Sequence, residues 1–138
     1  MKFAAVSFVL TFVSSVTPLM AAETSYSPDW AEMAPRRVIQ HPVSDGESLV
    51  KAVAALQPGD QLVIAAGTYN VERMWDIRVS GTAEAPIWIV AEEGAQVILT
   101  RPDDKQNMLN IGQGGEVSYL CVRGVEITGC SHGLRLGH

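Results

Sequence analysis

Apolar and polar positions alternate in short runs along most of this chain, and Gly and Pro separate the runs. Alternation points one side chain in two toward a core, which predicts strands with inward pairs at Leu62/Ile64, Ile77/Val79, Ile87/Ile89 and Val97/Leu99. The same pattern continues at Leu109/Ile111, Leu120/Val122, Val125/Ile127 and Leu134/Leu136. The pairs recur at a near-constant interval. Leu62 to Ile87 is 25 positions, Ile87 to Leu109 is 22 and Leu109 to Leu134 is 25. A second series, Ile77 to Val97 to Leu120, is spaced by 20 and 23. Two interleaved series of one period predict two or three strands per turn of a stacked repeat. One stretch departs from period two: Leu49, Val53 and Leu56 lie at helical spacing behind Ser44-Asp-Gly-Glu47, which has the form of a capping box. Pro58-Gly59 is expected to stop that short helix, which would cover the open start of the stack.

Gly67, Gly81, Gly94, Gly112, Gly114, Gly115, Gly124, Gly129 and Gly133 fall between strands, where tight corners form. An antiparallel sandwich also has short strands and Gly-rich turns. It would place Asn-Gly or Asp-Gly at hairpins, whereas the one Asp-Gly here, Asp45-Gly46, precedes the helix. The sequence therefore predicts an all-β chain, a right-handed parallel β-helix (solenoid) with a short N-terminal capping helix.

The first 22 residues stand apart. Met1-Lys2, an uncharged apolar run from Phe3 to Val13, and Met20-Ala21-Ala22 read as a signal peptide cleaved after Ala22, although Met20 is not small. The run is shorter than the roughly 20 residues a membrane span needs. A secreted or periplasmic location follows, with no membrane partner after cleavage. Residues 23–43 hold Pro28, Pro35 and Pro42 without sustained periodicity and read as an extended arm or linker, whose Trp30 and Met33 are available to pack on the stack. Residues 44–138 read as the cap and about the first three coils. Because Leu134-Arg-Leu-Gly-His138 ends just after a core-facing strand, the stack is expected to continue beyond it, so that the chain is truncated at its C-terminus.

Loss of Lys2, the one charged residue of the leader, takes the net charge from −5 to −6. An acidic mature chain argues against nucleic acid as partner. It excludes anionic polysaccharide less strongly, because a local Arg/Lys groove can sit on an acidic protein. Cys121 and Cys130 can pair in an oxidising compartment, but two half-buried thiols are the simpler reading.

Pro58-Gly-Asp60, Ala66-Gly-Thr-Tyr69, Gly81-Thr-Ala-Glu-Ala-Pro-Ile87 and Val122-Arg-Gly-Val-Glu-Ile-Thr-Gly129 resemble the opening coils of secreted right-handed parallel β-helix proteins. The resemblance is nearest to polysaccharide lyases of the chondroitinase B and alginate lyase type and spans about Ser44 to His138. It implies a polysaccharide partner and, for an enzyme, β-elimination on a uronate polymer by a Lys or Arg base, with Ca2+ as an assisting ion. The family's catalytic groups project from central coils, so no catalytic residue is carried onto this chain. A non-catalytic carbohydrate-binding solenoid and a glycoside hydrolase with paired carboxylates are the alternatives on the same scaffold.

Local candidates are few. Arg123 and Arg135 can line an outer groove for an acidic sugar, or simply be solvated. Trp88, alternating outward between Ile87 and Ile89, can stack on a sugar ring or pack under the N-terminal arm; Trp75 is placed in a corner loop. Asp103-Asp104 with Glu92-Glu93 lack the alternation of a calcium loop, so Arg101 to Lys105 reads as a solvated loop. Cys130, His132 and His138 fit no zinc spacing, and no metal site is assigned.

Overall fold

The computed structural model describes residues 28–137. The leader assigned to residues 1–22 and His138 lie outside them. A 3-10 turn at Asp29–Glu32 leads into β1 (Arg37–His41) and then α1 (Gly46–Ala54). Nine more strands follow: β2 (Asp60–Ile64), β3 (Gly67–Asn70), β4 (Trp75–Ile77), β5 (Ile87–Ala91), β6 (Val97–Thr100), β7 (Asn107–Ile111), β8 (Leu120–Arg123), β9 (Val125–Thr128) and β10 (His132–Leu136).

The strands form three sheets: β1-β2-β5-β8 (sheet 1), β3-β6-β9 (sheet 2) and β4-β7-β10 (sheet 3). All strand pairs are parallel. From β2 onward the chain visits sheets 1, 2 and 3 in fixed rotation, three times over. The described residues are mostly β, with parallel strands in three sheets and one α-helix.

Register sorts the apolar side chains into rows. Ile39, Leu62, Ile89 and Val122 align across sheet 1, Tyr69, Leu99 and Ile127 across sheet 2, and Ile77, Ile111 and Leu136 across sheet 3. These rows differ from the two series obtained by counting. Ile87 and Leu109 belong to different sheets, as do Ile77 and Val97, and Val97 and Leu120. Leu62 pairs with Ile89 rather than Ile87. The true returns are less regular, because the 92–96 and 101–106 turns are longer than their equivalents in the other coils; the period is not constant.

α1 forms where the helical spacing placed it, and it buries Leu49 and Val53, with Leu56 just beyond. Its N-cap is Asp45, whose side chain accepts from Ser48 N at 2.7 Å. Ser44 does not cap; its hydroxyl lies 2.9 Å from Nε2 of the buried His41. The helix lies against β3 and β4, the first strands of sheets 2 and 3, and so covers that end of the core. Contact is close enough that a Cβ on Gly46 would clash with the Asn70 carbonyl oxygen.

The arm expected over residues 23–43 contains a strand: β1 pairs with β2 along its whole length. Arg37 donates Nε to Asp60 at 2.8 Å, and Asp60 also accepts from Gln57 N at 2.8 Å. Arg101 is buried rather than solvated. It ties its loop down by donating to Asn107 O at 2.8 Å, with Asp103 3.7 Å away.

Candidate functional site

Trp75 sits in β4, buried in the core, and not in a corner loop. Its position fixes Asp76 on the alternate row of sheet 3, where Asp76 pairs in register with Asn110, and Asn110 with Arg135. Asn110 is fully buried and donates Nδ2 to Asp76 Oδ1 at 2.9 Å. Its own Oδ1 accepts from Asn107 Nδ2 at 2.7 Å. Arg78 reaches the second Asp76 oxygen at 3.3 Å. Both carboxylate oxygens of Asp76 are thereby oriented, one from the next strand and one from its own segment.

Asp76 and Arg78 border a recess of about 250 Å³ between α1 and β4, floored by Val50, Val53 and Trp75. A larger cleft of about 560 Å³ adjoins it through the shared Val50 and Trp75, with Glu47, Lys51, Glu72 and Arg73 along its rim. The two form one groove with an apolar floor and charges of both signs. Lys51 is paired with Glu47 at 2.8 Å, and that carboxylate raises the lysine pKa above its ordinary value. Such a lysine is a cation and a poor proton acceptor. Chemically, the groove offers fixed acceptors for hydroxyl groups and guanidinium donors for carboxylates.

The three residues singled out from sequence are not brought together here. Arg135 is exposed on β10 and completes the Asp76–Asn110–Arg135 row, about 10 Å from Asp76 at two strand spacings. Trp88 and Arg123 lie on sheet 1. Trp88 is 5% exposed and donates Nε1 to Ala31 O at 3.1 Å, so its indole is covered by the 3-10 turn instead of open to a sugar. Arg123 sits 3.6 Å from Glu32 of that turn. Asp76, Arg78 and Asn110 were not singled out: their one signal is a polar residue between two apolar ones, and Asn107, next to Gln106, lacks even that; their meeting is visible only once β4 and β7 are known to be neighbours.

Cys121 and Cys130 are free and half-buried. His132 contacts the adjacent Ser131. Among the described residues no three His, Cys, Asp or Glu side chains converge. Nor is any described helix long and apolar enough to cross a membrane. Comparison with known families, with curated proteins and with solved structures finds no match.

Proposed function

We propose that this protein is an exported right-handed parallel β-helix that binds acidic polysaccharide in the groove between α1 and β4. The observation that carries this reading is the row Asp76–Asn110–Arg135, continued into the groove by Arg78. It sets one oriented carboxylate and two guanidinium groups along the row, with the fully buried Asn110 holding Asp76 in place rather than facing a ligand. A polymer of uronic acids presents hydroxyls to such a carboxylate and carboxylates to such guanidinium groups. The rotation of the chain through three parallel sheets supports the β-helix, and the leader-like residues 1–22 support export.

β-Elimination is the second reading, favoured by the lyase-like segments around Pro58-Gly-Asp60 and Val122 to Gly129. Binding without turnover fits the groove better. An elimination base must be neutral near neutral pH, whereas Lys51 is held protonated by Glu47 and Arg78 is engaged with Asp76. A calorimetric titration with oligoguluronate and oligogalacturonate, beside a neutral glucan of equal length, tests the reading. Uronate binding that weakens with salt and falls about tenfold in Arg78→Ala is the expected result. Equal affinity for the neutral glucan would refute it. Growth of ultraviolet absorbance from an unsaturated uronate would replace binding by the lyase reading.

A further inference from the structure

The outer face of sheet 1 is covered by the chain itself. Gln61, Trp88 and Cys121 align on that face, as do Val63, Val90 and Arg123. Over them runs the 3-10 turn Asp29–Glu32, whose contacts include three of different kinds. The Ala31 carbonyl accepts from Trp88 Nε1, the Trp30 ring meets Tyr119 edge-on at 5.6 Å, and Glu32 faces Arg123 at 3.6 Å.

We propose that residues 29–33 are a self-mask over an acidic-sugar site formed by Trp88, Tyr119 and Arg123, displaced when a hexuronate oligosaccharide binds. The mask presents the groups such a sugar would bring. An oxygen acceptor sits on the indole N–H, a carboxylate on the guanidinium, and an aromatic ring against Tyr119. Its attachment suits displacement. The turn has four residues and no side-chain cap, and the Arg123–Glu32 pair is more than half exposed on both sides, so water and salt screen it. Segments held this way open locally without unfolding the domain. Tyr119 is the one non-glycine residue among those described with positive φ, at 51°. A bulky residue tolerates that left-handed conformation only where its surroundings impose it, and such residues gather at ligand sites. This inference takes its ligand class from the acidic-polysaccharide reading and places it on a different sheet.

The test compares the unaltered protein with Trp30→Ala/Glu32→Gln and with the same variant carrying Arg123→Ala. Hexagalacturonate is the probe and maltohexaose the neutral comparison, with Cys121 alkylation reporting whether the face has opened. If the mask is closed nine-tenths of the time, the double variant binds hexagalacturonate about tenfold more tightly, and Arg123→Ala abolishes the gain. Glu32→Gln alone, a conservative change at an exposed position, should give part of the gain and keeps the test valid if Trp30→Ala disturbs folding. A gain that survives Arg123→Ala overturns the proposal. Unchanged uronate affinity that still falls with Arg78→Ala removes the mask and leaves the groove reading standing. Absence of uronate binding in every variant, with Cys121 more readily alkylated, overturns both.

Discussion

The two ends of the core carry the same alternation and meet different fates. At the α1 end, Leu62, Ile64, Tyr69 and Ile77 are all at least 98% buried. At the β10 end, Leu134 and Leu136 occupy the same rows as Trp75 and Ile77, yet they are 50% and 73% exposed. Inward alternation fixes which way a side chain points. Burial comes from what is stacked on it, and at the first end that is β1 and α1.

The largest effect expected from this contrast is on core truncation. Leu62→Ala should destabilise by about 3 kcal/mol, because a fully buried leucine leaves a cavity. Leu136→Ala should change stability by no more than about 0.5 kcal/mol. Urea unfolding with an unchanged slope checks both; equal losses would break the comparison. Next is Gly46→Ala, which drives a Cβ into the Asn70 carbonyl and should cost about 2 kcal/mol by lifting α1 off β3. The analogous change at Gly137, with open space around it, should be near neutral.

Asp60 ties β1 to β2. Removing its carboxylate by Asp60→Ala should lose about 2 kcal/mol, seen as a lower thermal midpoint. Arg37 and the Gln57 amide hold its pKa below the ordinary 3.8. The stability this contributes is complete above that value and is lost as pH falls through the lower, folded-state value, so the variant should show a flatter acid limb.

The smallest effect belongs to His41. Burial lowers its pKa from 6.5, partly opposed by the nearby Asp45 charge, so the fold prefers the neutral ring. Its contribution is complete above 6.5 and declines as pH falls from there toward the folded value. His41→Gln should remove that slope between mildly acidic and neutral pH, measured as thermal midpoint against pH.

What could be read from the chain divides along the same line between direction and stacking. α1 was legible because Leu49, Val53 and Leu56 declare their period locally. Its cap was misplaced by one residue because Ser44 is committed to His41, a contact that no local pattern reveals. β1 was hidden by its composition: Arg37-Val-Ile-Gln-His41 becomes a strand through pairing with β2, and its two polar ends meet Asp60 and Ser44. Side-chain directions followed from alternation, but sheet membership did not, since unequal turns put Ile87 and Leu109 on different sheets. The groove was illegible for the same reason. Asp76 and Asn110 meet only through the β4–β7 register, and Trp88 is covered by a turn whose sequence shows no sustained pattern.

The central claim is that the groove between α1 and β4 recognises an acidic sugar polymer. Its most direct test is residue-resolved NMR of the protein titrated with hexagalacturonate and, separately, with maltohexaose. The account predicts saturable shifts at Lys51, Arg73, Asp76, Arg78 and Arg135 with the uronate alone. Shifts absent from those residues, or equal for the two sugars, would contradict it.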